Sequence, residues 1–267
     1  MKRIFKFIVT FPKSVIAGVL ATTLFFGYFS GKLEVDASTE TLLLENDKDL
    51  AVFRDVFKRY VSPNYLVVAY TPKDDILAPA TLEKIKNLSD ELAKNELVSN
   101  VISILNIPLL QSGSNELGEL VKHVPSLADA DINKTLVRRE FGDSPLYTNN
   151  IVSGDLKTTA IVLNLKTDEK YQSILNERNA LLNAKLDGNI TSEQKQRLST
   201  VNARFKAYRD EVRVKEHAAI EQIRETIAKF SGEESLFLGG ANMIADDMVS
   251  FVRSDLATYG ISVTLLL

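Results

Sequence analysis

Residues 64–105 read NYLVVAYTPKDDILAPATLEKIKNLSDELAKNELVSNVISIL. Tyr65-Leu66-Val67-Val68-Ala69-Tyr70 is β-branched and aromatic, and Pro63 and Pro72 bound it. That composition predicts a buried strand over Asn64 to Thr71. Pro79 then sits near the start of a helix, where its missing N–H leaves nothing unpaired. The helix runs to about Asn95 with Leu82, Ile85, Leu88 and Leu92 facing inward. Val98 to Leu105, carrying Val98, Val101, Ile102 and Ile104, predicts a second strand that Pro108 stops. The stretch is a β-α-β unit.

Working outward, the same pattern recurs. Thr159, Ile161, Leu163 and Leu165 alternate with Ala160, Val162 and Asn164, which predicts a strand over Thr158 to Leu165. Ala218 to Phe230 predicts a helix with Ile220, Ile223, Ile227 and Phe230 inward, capped by Gly232. Ser235 to Leu238 predicts a short strand, Gly239-Gly240 a turn, and Ala241 to Arg253 a helix. With the segment between Thr167 and Ala218 set aside, the order is β-α-β followed by β-α-β. The predicted fold class is therefore α+β, a split β-α-β or ferredoxin-like arrangement. Right-handed crossovers would place both helices on one face of a four-stranded sheet. Asp47 to Tyr60 predicts an amphipathic helix with Leu50, Phe53, Val56, Phe57 and Tyr60 on one side. Residues 111–150 are polar, with short helices expected over Leu117 to Val124 and Asp129 to Phe141. Turns are expected at Pro145, Asn149-Asn150 and Gly154-Asp155.

The segment set aside has the clearest periodicity in the chain. Leu198, Val201, Phe205, Tyr208 and Val212 are spaced three, four, three, four, which is a coiled-coil seam. Tyr171, Ile174/Leu175, Leu181/Leu182 and Leu186 supply a matching stripe. Gly188-Asn189 breaks the run, and Thr191 with Gln194 has the form of a capping box. An inserted antiparallel helical hairpin follows, over about 168–215, with arms of about 30 Å. Past Val212 the stripe slips by one residue, to Ile220, Ile223 and Ile227, as expected where packing changes from hairpin to sheet. The hairpin reads either as an arm for a partner or for self-association, or as a solvated structural insertion.

Two apolar segments flank this outer region. Ser14 to Ser30 carries no charge, and with Phe7 to Thr10 and a snorkelling Lys13 it is long enough for a hydrocarbon core of roughly 30 Å. Lys2, Arg3, Lys6 and Lys13 precede it, and Glu34, Asp36, Glu40 and Glu45 follow. The positive-inside rule then puts residues 1–13 in the cytoplasm and the region after the helix outside. A signal peptide cleaved after Val35-Asp36-Ala37 is the alternative. Leu256 to Leu267 is also uncharged and is expected to be the start of a second, truncated membrane helix, a buried core helix being the alternative. The expected organisation is thus a cytoplasmic N-terminus over 1–13, a transmembrane helix over 14–31, an outer domain over 32–255 and a second membrane helix from 256.

Net charge is −3, so no nucleic-acid footprint is present. Cysteine is absent, which excludes disulfides, thiol catalysis and thiolate metal sites. The two histidines, His123 and His217, have no metal-ligand spacing and read as surface residues. No G-x-S-x-G or Walker loop occurs, and Gly239-Gly240 is too short to cradle a phosphate. Asp74-Asp75, Glu233-Glu234 and Asp246-Asp247 read as loop or helix-face charges. Asp246 and Asp247 lie about two turns before the apolar tail, where a part in an ion pathway is conceivable. No catalytic, cofactor-binding or metal-ligating residue is predicted, no cofactor is expected, and the substrate-binding residues are unknown.

Several short motifs, in order, carry a resemblance. They are Leu33-Glu34-Val35-Asp36-Ala37-Ser38 with Leu42-Leu43-Leu44-Glu45 and Asp49, then Val98-Ser99-Asn100-Val101-Ile102-Ser103 with Asn106-Ile107-Pro108. Next come Pro145-Leu146-Tyr147 through Ser153 to Thr158-Thr159-Ala160, and Leu238-Gly239-Gly240 to Met243-Ile244-Ala245-Asp246. Arg253-Ser254-Asp255-Leu256 closes the series. Together they resemble the first periplasmic loop of exporters of the resistance-nodulation-division (RND) superfamily. The similarity is to the hydrophobe/amphiphile type, related to MMPL-like mycobacterial lipid transporters and Patched-like proteins. The resemblance implies a ferredoxin-like porter domain in a bacterial inner-membrane protein with its loop in the periplasm. It also implies proton-driven efflux of hydrophobic or amphiphilic molecules such as lipids, no enzymatic activity, and relay carboxylates in membrane helices beyond residue 267. The resemblance implies the bilayer and the substrate as partners, while the hairpin itself suggests a second copy or a periplasmic protein as a further one. The hairpin departs from the minimal porter domain. The second reading of the same frame is the sensory ectodomain of a two-helix receptor, which the coiled-coil seam suits.

Overall fold

The computed structural model describes residues 9–30, 64–112, 125–129 and 132–266. Among these are six helices and four strands: α1 (Pro12–Ser30), β1 (Tyr65–Thr71), α2 (Pro79–Leu92), β2 (Val98–Ile102), α3 (Lys134–Asp143), β3 (Thr159–Leu165), α4 (Glu169–Leu186), α5 (Ser192–Phe230), β4 (Ser235–Gly239) and α6 (Ala241–Leu266). The amphipathic stretch Asp47 to Tyr60 and the short helix Leu117 to Val124 expected from sequence lie outside the described residues. The chain divides into two compact units. One contains α1 and the part of α6 from Val249 onward, and the other contains the sheet and the remaining helices.

In the larger unit the strands form one sheet in the order β2-β3-β1-β4, with every neighbouring pair antiparallel. Leu66 lies opposite Leu163, Val68 opposite Ile161 and Tyr70 opposite Thr159. These residues share one face because side chains alternate with a period of two, and all six are buried. Ile85, Leu88 and Leu92 of α2 and Ile220, Ile223 and Ile227 of α5 join them in a single core. Each such side chain contributes about 1.5–3 kcal/mol by leaving water. Both crossover helices thus lie on the same face of the sheet, and the Asn95 amide ties the end of α2 to the Ala219 carbonyl of α5 at 3.0 Å. On the other face Val67, Ala69, Ala160 and Val162 are half-buried, while Phe237 is 69 % exposed.

Strand β2 stops sooner than its apolar run suggests. The Asn106 side chain accepts from the Ser103 N–H at 2.8 Å and donates to the Val101 carbonyl at 2.7 Å. It captures backbone groups that a longer ladder would use. Helix α3 starts five residues later than expected from sequence. Asn133 caps it by accepting from the Thr135 and Leu136 N–H groups, whereas Asp129 is engaged in a turn, accepting from the Ser126 N–H at 2.7 Å. Gly232 does not cap α5. The helix ends at Ser231, which is extended (φ −73°, ψ 105°) and whose hydroxyl donates to the Ile227 carbonyl at 3.0 Å.

The expected hairpin forms, with one difference. Its second arm and the following crossover helix are a single helix of 39 residues, Ser192–Phe230. No Gly or Pro interrupts that span, so the slip in the apolar stripe changes what the helix packs against without breaking it. Leu198, Val201 and Phe205 pack with Ile174, Leu175 and Leu181 of α4 in a separate small core. The Thr191–Gln194 capping box is present in both directions. At the base, Asp168 caps α4 by accepting from the Tyr171 N–H at 2.8 Å, and its carboxylate also accepts from the Tyr208 hydroxyl at 2.9 Å.

The segment between β2 and β3 is held by a buried carboxylate. Glu140 of α3 accepts from the backbone N–H groups of Leu110 (2.7 Å), Gln111 (3.1 Å) and Ser112 (2.8 Å) and from the Ser112 hydroxyl (2.6 Å). Burial alone would raise its pKa, but these four donors outweigh burial and hold it below the ordinary glutamate value of 4.5. The folded value lies below the unfolded one, so this stabilisation is complete above about pH 4.5 and is lost as pH falls through the folded value. Glu140→Ala is expected to lower unfolding stability by about 3 kcal/mol in urea titrations at pH 7. Glu140→Gln is expected to cost less, and its deficit relative to the parent should shrink as pH is lowered through the acid range. A deficit that does not change with pH would remove the charge from this account.

Candidate functional site

On α5, Ala219, Ile220, Ile223 and Ile227 are buried against the sheet, which turns His217, Glu221 and Arg224 away from that stripe. After β4 the chain turns at Gly240 (φ 136°), a backbone conformation that side chains rarely adopt. A Cβ there would lie 2.9 Å from both the Tyr65 carbonyl oxygen and the Leu66 Cδ2. Glycine is therefore required, and the turn brings the first two turns of α6 alongside α5.

There the polar side chains of the two helices meet. The Nδ1 atom of His217 lies 2.9 Å from each carboxylate oxygen of Asp246. Glu221, one helical turn after His217, completes a group whose ligand atoms all lie within 4.8 Å of one another. Arg224 donates from Nη2 to Asp247 Oδ1 at 2.6 Å, and its Nε stands 3.2 Å from Glu221 Oε1. Asn242 approaches Glu216 at 3.5 Å. The His217 side chain is 50 % exposed and that of Asp246 only 10 %. The carboxylates of Glu221, Asp246 and Asp247 thus meet the Arg224 guanidinium, with His217 in hydrogen-bond contact. Such a group can share a proton between imidazole and carboxylate or accept a cation.

The other candidates from sequence are engaged in ordinary contacts. Arg138 grips both oxygens of Asp75, at 2.6 and 2.5 Å. That hydrogen bond is the main reason the Asp75 pKa lies below the usual aspartate value. Glu233 pairs with Lys73, and Glu234 with Lys84. The Lys84 hydrogen bond holds the Glu234 pKa down. Gly239-Gly240 is the turn described above, and His123 lies outside the described residues. Among the described residues, Asp246-Asp247 is the one acidic pair brought to a histidine. Sequence reading placed His217 on the surface and saw no ligand partner for it. The i, i+4 spacing of His217 and Glu221 was a visible half of the signal. Asp246, 29 residues from His217, is brought in only by the β4 turn.

No family model, curated protein or solved structure matches the chain.

The polar group and the apolar stripe beside it should contribute very differently to stability. Arg224→Met, which breaks a half-exposed pair, is expected to cost no more than about 1 kcal/mol in chemical denaturation. Ile223→Ala, one residue earlier and fully buried, is expected to cost about 3 kcal/mol. Equal costs would make the polar group part of the folding core.

Proposed function

We propose that this chain supplies the outer domain of a proton-driven RND-type exporter of the bacterial inner membrane, moving hydrophobic or amphiphilic molecules such as lipids. In this reading residues 32–255 are a ferredoxin-like porter domain that contributes to the substrate path, and the α4–α5 hairpin is an arm for a second copy or a periplasmic partner. The observation that carries the reading is the sheet order β2-β3-β1-β4 with α2 and α5 on one face, the arrangement a split β-α-β unit produces. The order and spacing of the motifs that resemble RND exporters add to it. So does α1, the one described helix long and apolar enough to cross a membrane; its large side chains, such as Leu24, Phe25, Phe26 and Tyr28, are exposed. In α6 the residues from Leu256 to Leu266 are uncharged.

Two measurements in cells carrying the complete gene test this. These 267 residues have no cysteine, so single thiols introduced here report topology once any cysteine elsewhere in the gene product is replaced. Glu193→Cys at the hairpin tip should react with a membrane-impermeant maleimide in spheroplasts, and Lys2→Cys should react only after permeabilisation. Cells with the gene should extrude a lipophilic dye such as Nile red faster than cells lacking it, and a protonophore should abolish the difference. Labelling with the opposite sidedness, or dye efflux indifferent to the protonophore, would overturn the proposal.

A further inference from the structure

We infer that His217, Glu221 and Asp246 form a binding site for one divalent transition-metal cation, with Zn²⁺ the ion that the donor set suits best. The inference rests on the larger unit's own geometry and stands apart from the exporter reading. The three donors come from two helices that are far apart in sequence, and their ligand atoms lie within 4.8 Å of one another. His217 and Glu221 are separated by four residues, so both project from the same side of α5. One imidazole nitrogen and two carboxylates form a mixed N/O set, which zinc accepts with a water in the fourth position. Calcium and magnesium prefer larger all-oxygen shells. Thiolate sites are excluded because the chain has no cysteine.

The distances require little rearrangement. Two ligand atoms about 2.0–2.1 Å from a tetrahedral ion are about 3.3 Å apart. His217 Nδ1 and the Asp246 carboxylate, at 2.9 Å, are already close to that separation. A bound ion takes the place between Nδ1 and the carboxylate, and the imidazole then carries its N–H at Nε2. Glu221 reaches the ion by a rotation of its exposed side chain, leaving Arg224, which keeps its 2.6 Å bond to Asp247. His217 is half-exposed, so the ion has a path in and the fourth position opens to water. Once bound, it would pin the start of α6 to the middle of α5.

The test is titration of the metal-stripped, detergent-solubilised chain with Co²⁺, followed by visible absorption, and then displacement by Zn²⁺. One ion per chain is expected. Millimolar Mg²⁺ or Ca²⁺ should not displace it, and zinc should raise the thermal midpoint by a few degrees, reversed by a chelator. His217→Ala, Asp246→Asn and Glu221→Gln should each weaken binding by about tenfold or more. His123→Ala, which removes the only other histidine, should leave binding unchanged. Circular dichroism of each variant checks that the helices persist. Three outcomes would overturn the site: no saturable binding up to about 0.1 mM zinc, binding undiminished in His217→Ala, or equal loss in His123→Ala.

Discussion

The structure depends on one helix that serves two cores. The Ile220, Ile223 and Ile227 stripe of α5 covers the face of the sheet that carries Leu66, Val68, Ile161 and Leu163. About four to six turns earlier the same helix offers Leu198, Val201 and Phe205 to α4. An α-helix cannot change its 3.6-residue period to suit each partner, so a shift in partner must be written as a shift in stripe. Between Val212 and Ile220 the stripe shifts, and no residue there is fully buried except Ala219. The backbone stays helical through this uncovered stretch. It joins the hairpin and the sheet through one continuous helix of 39 residues, about 58 Å long.

Most of this was legible in the residues. Strand β1 was readable from its β-branched run, and the pairing side of β3 from strict alternation. The hairpin was readable from a three-four spacing closed by Gly188-Asn189. What could not be read were places where a single polar side chain overrides the apolar pattern. Asn106 ends β2 by capturing two backbone groups. Asn133 sets the start of α3. Glu140 collects four donors from residues nearly thirty positions away, a contact that depends wholly on tertiary placement. Gly232 looked like a helix cap by identity, but Ser231 ends the helix with its own hydroxyl.

The polar group at His217 shows the same boundary from the functional side. Spacing within one helix exposes His217 and Glu221 as neighbours. The third member depends on β4 and on a glycine held open by the closeness of Tyr65 and Leu66. A one-dimensional reading could name Asp246 as unusual for its nearness to the apolar tail, but it could not give it a partner. The lysine and arginine partners of the other acidic pairs were equally invisible. Those contacts dissolve the interest of Asp75 and Glu234 and leave Asp246 with a histidine.

The way α6 is attached explains why this place matters. In its first eight residues, Ala241 to Met248, no side chain is fully buried, and Ile244 and Met248 are exposed. Only Met243 packs against the sheet core, and only partly. Beyond Met243, polar contacts join this segment to α5, among them Asp246 to His217, Asp247 to Arg224 and Asn242 to Glu216. Partly exposed contacts of this kind contribute about 1 kcal/mol or less each, while the neighbouring buried isoleucines contribute about 1.5–3 kcal/mol each. The start of α6 is therefore held far more loosely than α5 itself. Helices attached in this way can shift against their neighbours at small energetic cost. A group that strengthens the His217–Asp246 contact therefore acts where the first turns of α6 meet α5, a place with little apolar burial of its own.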